Sequence, residues 1–366
     1  SSTQTALLVA TPILVGSVGR IPVGALTDRF GGRRMFTAIS LISIAPVLLV
    51  AFAGSIDSYA LLLVFGFFLG IAGTTFAVGI PFVNAWYQPA RRGFATGVFG
   101  VGMGGTALSA FFTPRFVSWF GYVPAHVIIA VALALTALLV MIRMKDAPAW
   151  HPNTAPVIPR LAAAAKLAVT WQMAFLYAVT FGGFVAFSTY LPTYLKTVYD
   201  FSITDAGTRT AGFAIAAVIA RPIGGILSDR LHPKIVVMIS LAGAAGMAVL
   251  IALQPAPELS AGATFIAMAF FLGIGTGGVF AWVARSAPPD RVGAVTGIVG
   301  AAGGLGGFFP PLVMGATYDS VGNNYTVGLA LLSVTCLLAL LYTAWRLPGR
   351  SAAEAPPTGR ESGRGA

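Results

Sequence analysis

Residues Gly19–Arg34 have the sequence GRIPVGALTDRFGGRR, and residues Ala220–Lys234 have the related sequence ARPIGGILSDRLHPK. In both copies an arginine lies eight residues before an aspartate; the arginines are Arg20 and Arg221. The glycine-rich segments GVFGVGMGG and GIVGAAGGLGG and the segments FFLGIAGTTFA and FFLGIGTGGVFA also repeat, at an offset of about 200 residues. Three matches with one offset indicate that the chain is an internal duplication.

The composition is that of a membrane protein. Of 366 residues, 57% are hydrophobic and only 9% are charged, and the mean hydropathy is +0.85. A soluble domain carries about 25% charged residues, so this chain has too little polar surface to fold in water. Apolar windows of about 20 residues, long enough to cross a bilayer, recur throughout, which predicts an all-α membrane protein. The predicted spans are 5–27, 35–54, 60–87, 94–118, 123–143, 171–196, 205–228, 235–253, 261–284, 292–316 and 324–345.

The basic residues predict an orientation. Alternate connections contain DRFGGRR, QPARRG, DRLHPK and a long basic linker, whereas the opposite connections have almost no lysine or arginine. By the positive-inside rule the basic connections are cytoplasmic. The net charge of +11 therefore orients the protein in the lipid bilayer, and we expect no nucleic-acid partner.

The duplication also predicts the domain organisation. We expect an N-terminal bundle at 1–144, a cytoplasmic linker at 145–170, a C-terminal six-helix bundle at 171–347, and a disordered cytoplasmic tail at 348–366. The span 171–196 has no counterpart in the first half, so we expect the first helix of a twelve-helix protein to be missing. The single cysteine excludes an internal disulfide, and we expect neither a metal site nor a cofactor.

Arg20 and Arg221 are expected near the middle of the bilayer, because eight helical residues span about 12 Å. An arginine there costs at least ~2.5–3.5 kcal/mol and faces a bundle interior or a cavity. All eleven carboxylates fall in connections, at span ends or in the tail, so neither arginine has a counterion at its depth. A small planar oxyanion could supply the charge, since guanidinium binds one bidentately. The alternative is that each arginine binds helix carbonyls or extends to the membrane surface.

Aromatic residues that could border a narrow anion site accompany these arginines. Tyr177 and Phe181 are four residues apart, on one helical face. Phe76 and Phe280 lie in equivalent segments of the two halves. The alternative for each ring is ordinary helix packing.

The two D-R loops resemble the signature of the major facilitator superfamily, which lies between helices two and three and recurs between helices eight and nine. The resemblance implies two pseudo-symmetric helical bundles, with about 11 of 12 transmembrane helices present. It also implies that the loops latch the cytoplasmic gate without contacting the substrate. The implied gating residues are Gly24, Asp28, Arg29, Arg33, Asp229 and Arg230.

Within that superfamily, IARPIGGILSDR and GIVGAAGGLGGFFPP resemble the eighth helix and the glycine-rich signature of the nitrate/nitrite porter family. GTTFAVGIPFVNAWYQPARRGFATG is similar to the fourth helix of that family and the loop after it. By this resemblance Arg20 and Arg221 would hold the anion, and Phe76, Tyr177 and Phe181 would line its site. The implied activity is transport of nitrate or nitrite by alternating access, without enzymatic activity, and we expect a monomer. One departure is Met103, which stands where the family usually carries asparagine.

The absence of a mid-span carboxylate favours exchange of nitrate for nitrite over proton coupling, because exchange needs no proton carrier. Three alternatives remain at this point. They are a proton-coupled nitrate importer, a porter for organic anions or drugs, and a sensor that kept the fold but does not transport.

Overall fold

The computed structural model describes residues 2–87, 99–148, 150–152, 156–288, 291–319, 321–322 and 324–347. Apart from one isolated bridge between Asp319 and Asn324, the regular structure in these residues is helical. The helices of the first half are α1 (Ser2–Val18), α2 (Arg20–Phe30), α3 (Gly32–Ser55), α4 (Tyr59–Leu69), α5 (Thr75–Trp86), α6 (Gly105–Phe120) and α7 (Tyr122–Arg143). Those that follow are α8 (Val157–Ala165), α9 (Ala168–Tyr199), α10 (Ile203–Arg230), α11 (Pro233–Ala252), α12 (Leu259–Ser286), α13 (Val292–Gly306), α14 (Phe309–Ala316) and α15 (Thr326–Arg346).

Ten helical segments of the described residues are long and apolar enough to cross a membrane. The expectation of an all-α membrane protein is confirmed. The predicted span 94–118 lies partly outside the described residues, and its described part includes α6. The predicted loop QPARRG lies entirely outside them. The predicted tail at 348–366 also lies outside them.

Four spans predicted to be continuous helices are interrupted in the described residues. Gly19 separates α1 from α2, a 3₁₀ turn at Gly70–Thr74 separates α4 from α5, a second 3₁₀ turn at Gly102–Gly104 precedes α6, and α13 ends at Gly306 before α14 begins. At the first two breaks the backbones approach closely. A Cβ added to Gly73 would lie 3.2 Å from the Cα of Gly16. Sequence periodicity cannot locate such breaks, because they depend on contacts with a distant helix.

The D-R loops adopt the same backbone conformation in both halves. The turn residue is Gly31 (φ +87°) in the first copy and His232 (φ +78°) in the second. Glycine adopts positive φ without steric cost, and histidine does so more often than most residues. The degraded second copy therefore still forms the turn that leads into the next helix.

The two halves meet along two symmetry-related pairs of contacts. In one pair, α1 and α2 of the first half pack against α13 and α14; in the other, α6 packs against α10. Gly207 of α10 lies against the Ala110 carbonyl and Pro114 of α6, where a side chain would collide with both. This plane between the halves positions the site, because Arg20 begins α2 and Arg221 lies on α10.

Large apolar side chains cover much of the outer surface. Leu108, Leu139 and Phe68 are more than half exposed, at 62%, 61% and 56%. Lipid would solvate these side chains, since a soluble protein rarely exposes large apolar patches. The core of the second half contains fully buried residues such as Leu241 and Met268.

Candidate functional site

Arg20 reaches from the first half of the chain to the second. Its Nη1 donates a hydrogen bond of 2.9 Å to the carbonyl of Gly300 in α13. Its Nε donates one of 3.4 Å to the carbonyl of Gly73, and its guanidinium carbon lies 5.1 Å from the ring centre of Phe76. The side chain is therefore held by neutral groups at the plane between the halves.

Arg221 reaches in the opposite direction, from the second half to the first. Its Nη1 donates to the Sδ of Met103 at 2.8 Å, and its Nη2 donates to the hydroxyl of Tyr177 at 3.3 Å. The rings of Phe280 and Phe181 lie 5.7 Å and 6.0 Å from its guanidinium carbon. These partners are also neutral.

The two arginines occupy related environments. Arg20 binds Gly300, and a Cβ added to Gly100 would lie 3.9 Å from the guanidinium carbon of Arg221. Gly100 and Gly300 are equivalent positions of the glycine-rich repeats. Each arginine thus crosses to the equivalent glycine of the opposite half, although only Arg20 donates to its carbonyl.

Aromatic rings and a pair of glycines join the two environments. Tyr177 stacks on Phe181 with ring centres 4.9 Å apart, and it meets Phe280 edge to face at 4.7 Å. Gly303 lies against the Tyr177 ring, where any side chain would collide. A Cβ on the next residue, Gly304, would lie 3.3 Å from Nη1 of Arg20. The structure therefore places Arg20, Arg221, Tyr177, Phe76 and Phe181 around one locus between the halves.

Carboxylates are remote from this locus among the described residues, where neither arginine has one within 4.0 Å. The described ion pairs lie elsewhere, as Arg160–Asp28, Arg209–Glu258 and Arg285–Asp229. The carbonyl partner left open as an alternative by the sequence is present for Arg20. In the same described residues, no group of three or more acidic, histidine or cysteine side chains could hold a metal ion.

The gating residues predicted in the first half lie at two helix ends. Asp28 pairs with Arg160 of α8 at 3.8 Å, so its partner is the connecting helix. The Nε of Arg33 donates to the Met141 carbonyl near the end of α7 at 3.1 Å. Gly24 packs near Ala77, whereas Arg29 is exposed with its guanidinium 5.7 Å from the neighbouring Phe30 ring.

The second-half copy has a related arrangement. Asp229 at the end of α10 pairs with Arg285 near the end of α12 at 3.4 Å, and Arg230 is exposed. Lys234, the equivalent of Arg33, donates from Nζ to the Leu347 carbonyl at 2.6 Å and to the Ala344 carbonyl at 3.0 Å. In both halves this basic residue therefore binds the carbonyl end of the last helix of its own half.

Sequence reasoning missed two contacts of the interface between halves. It did not identify the Gly300 carbonyl as the partner of Arg20, although the repeat of Gly100 and Gly300 was a usable signal. It also did not identify the partner of Arg115, whose Nη2 donates to the hydroxyl of Thr208 across the plane between α6 and α10 at 2.9 Å.

Comparisons with known proteins agree with this architecture. A family profile described as Major Facilitator Superfamily matches residues 1–281 and 199–365. The probable nitrate/nitrite transporter NarK2 of Mycobacterium tuberculosis is 67% identical over 344 residues, which cover 94% of this chain and 87% of that protein. This chain belongs to the nitrate/nitrite porter family of the major facilitator superfamily.

More distant members of the porter family also match. The nitrite extrusion protein of Bacillus subtilis is 34% identical, with 94% of this chain and 85% of that protein covered. The xylose transporter XylE from E. coli shares the fold, with a TM-score of 0.72 at 14% identity, covering 95% of this chain and 88% of that chain. This porter-family member is an integral membrane transporter and not an enzyme, and its major facilitator fold is confirmed.

Proposed function

We propose that this protein exchanges nitrate and nitrite across the membrane by alternating access. Arg20 and Arg221 hold the anion from opposite halves, Tyr177 offers its hydroxyl, and Phe76 and Phe181 limit the site to a small flat ligand. The names of the related transporters from Mycobacterium tuberculosis and Bacillus subtilis support nitrate and nitrite as substrates.

The proposal rests on the hydrogen-bond partners of the two arginines. They come from equivalent positions of a duplicated chain, meet at the plane between the halves, and have a carbonyl, a thioether and a hydroxyl as partners. None of these groups carries a charge. A planar oxyanion would place one negative charge between the two guanidiniums and accept hydrogen bonds from both, each roughly twice as strong as a bond between neutral groups.

Exchange follows from the same charges. Each arginine contacts the opposite half through a neutral group. Without a bound anion, two unneutralised guanidiniums would be enclosed between the bundles each time access switches from one side of the membrane to the other. The carrier with a bound anion therefore reorients more readily than the carrier without one. Asp28, Arg33 and Asp229 act at the ends of the helices, with Gly24, Arg29 and Arg230, as a gate that does not contact the anion.

The orientation is proposed from the basic connections. The connecting segment 145–170 and the tail 348–366 lie on the cytoplasmic side, and the bundles at 1–144 and 171–347 rock against each other as a monomer. The pairing of Asp28 with Arg160 supports a role for α8 on the gate side.

The test is counterflow in reconstituted vesicles. Labelled nitrate uptake is measured into vesicles loaded with nitrite, loaded with nitrate, or free of both anions, with and without a protonophore. We expect uptake into loaded vesicles only, unaffected by the protonophore. Uptake into empty vesicles that collapses with the pH gradient would replace exchange by proton-coupled import. Flux of organic anions without nitrate flux would replace the substrate class.

A further inference from the structure

We infer that Met103 is an internal competitor of the anion: its thioether accepts a hydrogen bond from Nη1 of Arg221, and the anion takes its place. This inference rests on the proposed function and adds a residue that sets affinity at one end of the site.

The position of Met103 makes it a direct partner of the guanidinium. Its Sδ lies 2.8 Å from Nη1 of Arg221, while Nη2 is bound to the Tyr177 hydroxyl. One of the two N–H groups on each terminal nitrogen is therefore engaged by a neutral acceptor. An oxyanion that binds these N–H groups with two oxygens competes with both acceptors.

The two acceptors differ in what they can do after displacement. A tyrosine hydroxyl both accepts and donates hydrogen bonds, so Tyr177 can turn its proton toward the anion and stay in place. A thioether is only a weak acceptor and can offer nothing to an anion. An anion that takes this N–H of Nη1 therefore displaces the Met103 sulfur, and the apolar side chain then only borders the ligand.

Met103 is half-buried at the edge of the core, and the glycines beside it have open space around them. It lies in the 3₁₀ turn Gly102–Gly104, at the start of α6. A Cβ added to Gly102, Gly104 or Gly105 would have no atom within 4 Å. Methionine is unbranched and has flexible side-chain torsions, so the sulfur can withdraw without shifting a packed helix.

The other end of the site lacks such a competitor. The position equivalent to Met103 in the second half is Gly303, which has no side chain and supports the Tyr177 ring. Arg20 binds the backbone carbonyl of Gly300 instead. A substitution at position 103 can therefore change the affinity of the Arg221 end of the site for the anion, whereas the partner of Arg20 is a backbone carbonyl that no substitution removes.

The test compares Met103→Leu with Met247→Leu by calorimetric titration of the purified protein with nitrate. Leucine keeps the apolar volume and removes the acceptor. Met247 is a matched control, because it is also half-buried but packs against the core of the second half on α11. We expect Met103→Leu to bind nitrate about 2- to 5-fold more tightly, because the hydrogen bond that it removes has a weak thioether acceptor. Met247→Leu should match the unmodified protein.

The outcomes separate the two hypotheses. If the unmodified protein binds nitrate and Met103→Leu binds it equally or more weakly, the competitor is refuted and the proposed function stands. If the unmodified protein binds no nitrate, the proposed function fails.

A second measurement does not depend on the variant folding well. Methyl-labelled methionine in the unmodified protein gives resonances from nine residues. A methionine resonance that shifts saturably with nitrate, over the calorimetric concentration range, is expected from displacement of Met103. If none responds, the competitor is refuted.

Discussion

Removing the hydroxyl of Tyr177 should weaken nitrate binding without disturbing the ring packing. Tyr177→Phe keeps the stack on Phe181, at 4.9 Å, and the edge contact with Phe280, at 4.7 Å. In the absence of nitrate, the variant loses the long hydrogen bond that Nη2 of Arg221 donates to the Tyr177 hydroxyl at 3.3 Å. The complex loses a donor to an anion, which is a stronger interaction.

The difference between these two losses sets the magnitude. A hydrogen bond that involves a charged group contributes about 1.5–3 kcal/mol; the bond from Arg221 to the Tyr177 hydroxyl also has a charged donor, but its length of 3.3 Å weakens it to about 0.5–1 kcal/mol. Nitrate affinity should therefore fall by about 1–2 kcal/mol, or roughly 5- to 30-fold, as measured by calorimetric titration of the purified variant.

Tyr190→Phe is the matched control. Tyr190 is on the same helix, its side chain is equally buried, and its hydroxyl donates at 3.4 Å to the Tyr325 hydroxyl, with no arginine involved. Its removal should leave nitrate affinity unchanged. Equal affinities for Tyr177→Phe and the unmodified protein, within twofold, would refute the assignment of the hydroxyl to the anion.

Three further predictions test the glycine packing, the helix-end contacts and a surface turn. Gly303→Ala should weaken nitrate binding at least about 10-fold in the same titration, because its Cβ collides with Tyr177; Gly297→Ala, which has open space around it, should not. Lys234→Met removes two bonds from a charged donor, so it should lower the free energy of unfolding by about 2 kcal/mol, measured by denaturant titration, and leave nitrate affinity unchanged. Hydrogen bonds from backbone N–H groups and Asn324 hold the pKa of Asp319 below its usual value. Asp319 therefore adds stability that is fully present above about pH 5 and lost as the pH falls below about 4. The difference in the free energy of unfolding between the unmodified protein and Asp319→Asn, measured across this pH range, should show this loss.

Each of these predictions has a result that contradicts it. Normal nitrate affinity in Gly303→Ala would mean that the Tyr177 ring can move without consequence. Weaker nitrate binding with unchanged stability in Lys234→Met would assign that lysine to transport. A constant stability difference for Asp319→Asn from pH 7 to pH 3 would exclude a lowered pKa.

The sequence predicted that the two arginines lie between the halves because duplication leaves a simple signal. Two arginines at equivalent depths, without carboxylates at that depth, are expected to avoid lipid and to face the plane between the repeats. The shared face of Tyr177 and Phe181 was predictable for a different reason, because a four-residue spacing puts two side chains on one face of α9.

The partners of these residues were not predictable. Gly300 acts through a backbone carbonyl, which every residue possesses, and Met103 acts through a sulfur that resembles ordinary core packing in a sequence. The helix α8, with Arg160, was expected only as a linker with several prolines. Its form depends on tertiary contacts, including hydrogen bonds from Thr170 and Trp171 to its last carbonyls.

Calorimetric titration of nitrate into Arg20→Lys, Arg221→Lys and Arg115→Lys tests the central claim most directly. Lysine keeps the charge and loses the planar fork, and Arg115 is a matched arginine at the same plane that binds Thr208. The account predicts nitrate affinity at least about 10-fold weaker in each of the first two variants and unchanged in Arg115→Lys. Unmodified affinity in both Arg20→Lys and Arg221→Lys would contradict it.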